Sequence, residues 1–470
     1  MRLYILAHVT ARPARRGESS RAGWVLPALI VVTLAATALL YVRGDLNPIL
    51  CDGPCPPRYV TAPVGLAAAD PAGDTPTLAG DGPVDGKELL AAVTPALSSA
   101  DLGERAGFVA VDARSGKTLA EQYGDAFVPA STAKVLTAFA ALTTIGPETR
   151  FSTRVVRDGD RLILVGGGDP YLTATKPRAS ATRRADLATL AERTARAVGS
   201  ATVTLGYDTS LFSGTGVSPG WSPGYISGGI VAPVSPLWID RGRVGAGRSA
   251  DPAGDAARAF AAALEDAGVT VSGQPSRVTA PKGATAIAAV EGGTVARIVE
   301  DFLTTSDNEV AEVMLRQAAL AAGRPGSFSG GSATVAAVLK TAGISVKGLK
   351  LQDGSGLSRG DRITPLTLAQ TLAAADGART GSILSGLPVG GFTGTLAGRY
   401  ARLGDARGLV RAKTGTLTGV HSLAGIATLS GGRPVAFALM TDQTEAVNPF
   451  VTQAALDRAA ADIAGCPCMP

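Results

Sequence analysis

The sequence predicts an α/β protein: a five-stranded antiparallel sheet flanked by helices, carrying large inserted subdomains and preceded by one transmembrane helix. Three observations carry this reading. Residues 24–42 are apolar or uncharged throughout, about the length a helix needs to cross a bilayer core. A hairpin pattern near residue 115 and a three-strand meander near residue 425 stand at opposite ends of the chain and together supply one sheet. Between them lies a long stretch in which further strand and helix patterns alternate, more than one sheet of five requires.

The chain begins with a basic tail. Arg2, Arg12, Arg15, Arg16 and Arg21 face only Glu18, so most of the formal net charge of +5 sits in residues 1–22. The positive-inside rule keeps that tail in the cytoplasm and sends everything after the anchor, residues 23–42, outside. A cleaved signal peptide is the rival, but its apolar core runs to about 7–15 residues and ends at a small-x-small site; here Ala36 and Ala38 lie inside the run. The expected location is therefore the cell membrane, single-pass, with the folded part extracytoplasmic. No basic stripe interleaved with aromatics follows, which excludes a nucleic-acid partner.

Residues 43–85 are dominated by Pro, Gly, Ala and Asp and read as a linker. Residues 88–97 are helix-patterned. Residues 107–112 and 117–121 flank a turn at Gly116 and read as a hairpin, which leads into Pro129 and a helix-patterned run from Ser131. Residues 151–156, 161–165 and 203–205 read as strands, and 184–198 and 251–268 as helices; together they make one or two inserted subdomains, residues 150–290. Gly166, Gly167 and Gly168 form a turn rather than a phosphate cradle, since no Lys-Ser/Thr follows. Strands at 409–417, 422–429 and 434–441 and a helix at 451–464 complete the main body, residues 86–149 and 291–465.

Four cysteines lie beyond the anchor, where oxidation is permitted: Cys51, Cys55, Cys466 and Cys468. Cys466 and Cys468 are too close in sequence to bridge each other without strain. The expectation is that they pair with Cys51 and Cys55, tying the linker to the C-terminus, with free or intermolecular thiols as the alternative. His8 and His421 are the whole histidine complement, so neither a zinc site nor a Ser-His-Asp triad is expected; metal: none, cofactors: none.

Three short motifs carry the chemistry. Ser131 and Lys134 form Ser-x-x-Lys, which on a helix puts the amine beside the hydroxyl so that it can take its proton. Ser306 and Asn308 form Ser-x-Asn just before a helix-patterned run. Lys413, Thr414 and Gly415, with Thr416 next, form Lys-Thr-Gly inside a strand. Alone, each has a bland reading: Ser131, Ser306 or Asn308 capping a helix, or Lys413 as a solvated strand lysine. In this order, each on the expected element, they match the triplet of penicillin-binding proteins and class A β-lactamases.

The chain from about residue 90 to 465 resembles the D-alanyl-D-alanine carboxypeptidase/endopeptidase group of low-molecular-mass, class C penicillin-binding proteins. Besides the motifs, the resemblance rests on Gly168-Asp169-Pro170, Asp208 to Phe212, Pro219-Gly220-Trp221, Ala232 to Ser235, Asp353 to Ser358, and the segments starting at Leu387 and Gly394. It implies a serine transpeptidase/β-lactamase-like domain and a serine-type carboxypeptidase, possible endopeptidase action included, that trims peptidoglycan stem peptides and is inhibited by penicillins and other β-lactam inhibitors. Ser131, Lys134, Ser306 and Lys413 are then the catalytic set. Asn308, Thr414, Gly415 and Thr416 bind substrate, the N–H groups of Ser131 and Thr416 forming the oxyanion hole, and like charge on Lys413 keeps Lys134 neutral. Asp353 and Ser355 read as turn and packing residues. Some family members carry an acidic side chain for diaminopimelate between the Pro-Gly-Trp and Ala-Pro segments; here residues 221–232 contain none, and Tyr225 stands near that place. The alternatives are a β-lactamase or serine esterase using the same site, or a catalytically silent penicillin-sensing protein.

Overall fold

The computed structural model describes residues 82–177, 184–245 and 247–469. The expected cytoplasmic tail, transmembrane helix and most of the linker, with Cys51 and Cys55, lie outside the described residues. No helix among the described residues is long and apolar enough to cross a membrane.

The chain enters through α1 (Gly86–Leu97), capped by the Asp85 carboxylate, which accepts from the N–H groups of Lys87 and Glu88. β1 (Ala106–Asp112), β2 (Thr118–Gln122) and α2 (Ala133–Ile145) follow. Next come β3 (Arg150–Asp158), β4 (Arg161–Val165), α3 (Leu187–Val198), β5 (Thr202–Asp208), β6 (Arg243–Val244) and β7 (Gly247–Arg248). Then α4 (Pro252–Asp266), β8 (Thr270–Val271), β9 (Ser276–Arg277) and β10 (Ala286–Thr294) precede α5 (Val295–Thr305), α6 (Asn308–Ala321), α7 (Phe328–Thr341) and α8 (Pro365–Ala373). The last elements are β11 (Val410–Leu417), β12 (Val420–Thr428), β13 (Pro434–Thr441) and α9 (Pro449–Ala464).

The hairpin and the meander join as one antiparallel sheet in the order β11-β12-β13-β1-β2, with Val109 opposite Ala438 where the two ends of the chain meet. Strand alternation sorts its side chains onto two faces. Phe108, Ala110, Leu423, Phe437 and Leu439 pack with Leu89 and Val93 of α1 and Leu456 and Ile463 of α9. Val109, Val111, Ala424, Ala436 and Ala438 face the other way, into the core that includes Leu136 of α2 and Leu368 of α8. Each fully buried Leu or Phe contributes about 1.5–3 kcal/mol relative to exposure.

Between α2 and α5 the chain builds a second sheet, β10-β3-β4-β5-β8, with β9 also on β5. β10, β3 and β4 are antiparallel, and β5 runs parallel to β4, β8 and β9. Leu190 of α3 and Ala256, Phe260 and Leu264 of α4 share its core with Val155, Leu162 and Leu164. Arg150 pairs with Thr294, so this insertion leaves and re-enters the main body side by side.

One expectation is corrected. Cys466 and Cys468 bridge each other, not Cys51 and Cys55; the chain turns after α9, with Cys466 N–H donating to Ile463 O, and brings their Cα atoms to 5.2 Å, inside the range a disulfide spans. The C-terminus is nonetheless tied to the start of the body, by Asp85 N–H on Cys468 O at 2.8 Å and Arg433 on Gly82 O at 3.3 Å.

Candidate active site

Ser131 sits not in a helix but in a single 3-10 turn, Ala130–Thr132, just before α2, and no side-chain cap bond is made there. Its neighbour Ala130 is held at φ +47°, a region alanine adopts only where the surroundings impose it. Those surroundings are visible. Ser422 of β12 and Thr132 both donate to Pro129 O, at 2.6 and 2.7 Å. Gly356, at φ +80°, lies so close that a Cβ there would fall 1.8 Å from Ala130 O. Gly415 is equally constrained: its Cβ would lie 2.1 Å from Ser422 Oγ and 2.7 Å from Pro129 O. The glycine of Lys-Thr-Gly is therefore what lets β11 close on the nucleophile turn.

Lys134, in the first turn of α2, is fully buried and makes three hydrogen bonds: to Ser131 Oγ at 2.8 Å, Asn308 Oδ1 at 2.7 Å and Ser355 O at 2.8 Å. Asn308 reaches Lys134, and Ser306 reaches Lys413, because α5 and α6 meet at a sharp break. Ser306 takes a left-handed conformation, φ +59°, as the C-cap of α5, and Asp307 caps α6, accepting from Val310 N–H at 3.1 Å. The cap is thus Asp307, which frees Ser306 and Asn308 to face the site. Lys413 is also fully buried and donates to Ser306 Oγ and Thr414 O, each at 2.9 Å.

Burial lowers Lys134 from the usual lysine value to about 8, against the opposing pull of Glu312, Asp353, Asp307 and Glu309. Burial likewise holds Lys413 well below its ordinary value, and the charge of Lys134 pushes it lower still. Burial is the larger cause for both lysines, and the like-charge repulsion expected between them is shared by the pair.

β11 is an edge strand. Ala412 N–H donates outward, to Pro388 O at 2.9 Å, so the period of two points the N–H groups of Thr414 and Thr416 to the same outer edge. Thr416 is exposed, whereas Thr414 is nearly buried, its hydroxyl 2.8 Å from that of Thr395. Lys413 spends two of its donors on Ser306 and Thr414.

Sequence reasoning missed what lies behind Lys134. Glu312, fully buried on α6, accepts from Gly354 N–H and Ser355 N–H, both at 2.8 Å; burial pushes its carboxyl up to about 8. Asp353 accepts from Trp221 Nε1 at 2.8 Å and from the N–H groups of Gly356 and Ser358 at 2.7 Å. Ser355, read as packing, supplies the carbonyl that Lys134 donates to. Glu312 stands four residues after Asn308, one helical turn along the same face, which was the available signal. The insertion reaches the site too: Arg241 and Arg248, either side of the β6–β7 turn, bond Asp307 and Glu309, and Trp221 meets Phe328 edge-on at 5.5 Å. Among the described residues, no group of three His, Cys, Asp or Glu is placed to hold a metal ion.

The chain matches the D-Ala-D-Ala carboxypeptidase 3 (S13) family over residues 89–248 and 245–463. It is 36% identical to carboxypeptidase DacB of Mycolicibacterium smegmatis over 472 residues, 97% of this chain and 98% of that one. It is 29% identical to the D-alanyl-D-alanine carboxypeptidase of Actinomadura sp. strain R39, over 77% of this chain and 82% of that one. The crystal structure of penicillin binding protein 4 (dacB) from Haemophilus influenzae shares the fold, with a TM-score of 0.67 at 23% identity, over 79% of this chain and 97% of that one. The chain belongs to the D-Ala-D-Ala carboxypeptidase 3 (S13) family.

Proposed function

We propose that this chain is a serine D-Ala-D-Ala carboxypeptidase that trims peptidoglycan stem peptides through an acyl-enzyme on Ser131 and is acylated there by β-lactams. The observation that carries the reading is the pairing of Ser131 with a buried lysine whose other two partners, Asn308 Oδ1 and Ser355 O, are acceptors. A neutral amine has two N–H donors and one lone pair. With both donors taken by fixed acceptors, the lone pair is aimed at the Ser131 hydroxyl.

Ser131 Oγ attacks the carbonyl of the penultimate D-alanine as Lys134 takes its proton. The tetrahedral oxyanion is met by the N–H groups of Ser131 and Thr416, worth a few kcal/mol, about 3–4, in the transition state. Ser306, bonded to Lys413, relays to the leaving amine the proton that Lys134 took, and the terminal D-alanine departs. Water, giving a proton to the freed Lys134, then attacks the ester; Lys134 returns that proton to Ser131 as the acid leaves. The substrate amide is held by Asn308 and its backbone by the open edge of β11. Its terminal carboxylate falls to the Thr414 and Thr395 hydroxyls. Glu312 and Asp353 are spent on backbone N–H groups, so neither stands as the base that a β-lactamase needs to clear its acyl-enzyme.

In the same reading, residues 23–42 anchor the chain in the cell membrane by a single helix and hold the catalytic body, residues 86–149 and 291–465 with its insertion at 150–290, outside the cell. The arginines before the apolar run support this orientation. A fluorescent penicillin should label the wild type and not Ser131→Ala, and only the wild type should release D-alanine from a D-Ala-D-Ala peptide. Labelling that survives Ser131→Ala would end the proposal.

A further inference from the structure

Lys134 is aimed by its two fixed acceptors, and one of them, the Ser355 carbonyl, belongs to a loop with its own support. Residues 353–358 pass directly behind the lysine. Four of their backbone N–H groups are taken by just two carboxyls: Gly354 and Ser355 by Glu312, Gly356 and Ser358 by Asp353. Thr137, one turn along α2 from Lys134, donates to Gly354 O at 2.7 Å. Gly356 in turn presses on Ala130 O, so the loop touches the turn that carries Ser131 as well as the lysine. Both carboxyls are fully buried. Burying an acid costs far more than burying an amide or hydroxyl that would accept the same bonds, so a loop needing only to be folded has cheaper solutions.

Asp353 also links outward. Its Oδ2 accepts from the indole N–H of Trp221 at 2.8 Å, and Trp221 belongs to the segment inserted between β5 and β6. That indole is the side-chain N–H that bonds the Asp353 carboxylate.

We infer that Glu312 and Asp353 are positioning residues for acylation: by clamping the Gly354–Ser358 backbone they hold the Ser355 carbonyl against Lys134 and so aim its lone pair at Ser131. Trp221, through Asp353, makes that aim depend on the seating of the inserted segment. The inference rests on Ser131 and Lys134 being the acylating pair.

The charges facing Lys134 set the sign of the test. They are Glu312 and Glu309 from α6, Asp307 at its cap, Asp353 from the loop and Lys413 from β11. Burial pushes the Glu312 carboxyl up to about 8, so its removal changes the charge beside Lys134 mainly above that pH, where loss of the anion lets Lys134 give up its proton at lower pH. A carboxamide there also turns an N–H donor toward one of the two loop N–H groups and loosens the clamp.

The test measures acylation of the full chain by a fluorescent penicillin at a series of concentrations from pH 6 to 10, per folded site, with thermal unfolding alongside. For the wild type, the limiting rate should rise with pH about a midpoint near 8. Glu312→Gln should lower the limiting rate about tenfold or more and move the midpoint down by at most about one pH unit. Trp221→Phe keeps the ring and leaves α6 untouched, so it decides the matter if Glu312→Gln does not fold. It should lower the limiting rate about tenfold and leave the half-saturating concentration within about twofold. Folded variants with the wild-type rate and midpoint would overturn the inference. So would a Trp221→Phe loss confined to half-saturation, which would make Trp221 a wall of the cleft only. Ser131→Ala is run in parallel: if it still labels, the acylation reading itself has failed; if it does not label and the other two behave as wild type, only the positioning role has.

Discussion

The two sheets of this protein bury different things. Around the five-stranded sheet, Lys134, Lys413, Glu312, Asp353 and Asp361 are all at 0% exposure, packed among the helices that cover its second face. The inserted six-stranded sheet is filled by Val155, Leu162, Leu164, Leu190 and Phe260. Two of its buried acids do ordinary work: Asp186 caps α3, accepting from Thr189 N–H at 2.7 Å, and Asp208 accepts from Ser210 and Ala280 N–H at 2.7 and 2.8 Å. One region thus carries charge at a cost in stability because chemistry needs it there; the sheet core of the other is apolar and built for stability.

The sharpest way to break this contrast is Lys413→Met. It removes a buried cation that burial and Lys134 both disfavour, so the melting temperature should hold or rise, while acylation of Ser131 falls about a thousandfold for want of the group behind Ser306. A lower melting temperature with acylation retained would make Lys413 a structural residue. The converse change belongs to the insertion. Phe260→Ala empties a fully buried site and should cost about 3–5 kcal/mol in denaturant unfolding, yet leave the acylation rate of the folded protein within about threefold. A larger kinetic loss would show that the two sheets are more tightly coupled than their cores suggest.

The smallest effect is one of pH. Glu312 and Asp361 are raised by burial to about 8 and about 10. Both bind a proton in the folded state that the unfolded chain gives up from about pH 4–4.5 upward, so stability falls as pH rises from there toward 8. Lys413, depressed by burial, acts in the opposite sense but is outnumbered. Melting temperature should therefore drop by a few degrees, about 2–6, between pH 5 and 8, and Glu312→Gln should flatten that slope. A melting temperature that climbs over this interval would mean that the buried carboxyls stay ionised.

Much of the catalytic body could be read from residues in order. The β1–β2 hairpin and the β11–β13 meander follow from alternation and glycine turns, and their union follows from neither half having enough strands alone. Ser131, Lys134, Ser306, Asn308 and Lys413 were found as motifs, and the structure brings them together. Other features were not legible. Glu312 looks like any helical glutamate until the loop at 353–358 is laid against it. The Cys466–Cys468 bridge depended on how sharply the chain turns after α9. That both Lys134 and Lys413 are fully buried depended on the packing of distant segments around them.

By itself the sequence determined periodicity, turn positions and the three motifs, because these are properties of residues a few positions apart. Only the tertiary structure decided which groups lost their water and which backbone N–H groups a carboxylate found. Those outcomes depend on contacts such as Trp221 with Asp353 and Glu312 with Ser355, between residues far apart along the chain, and no local pattern records them.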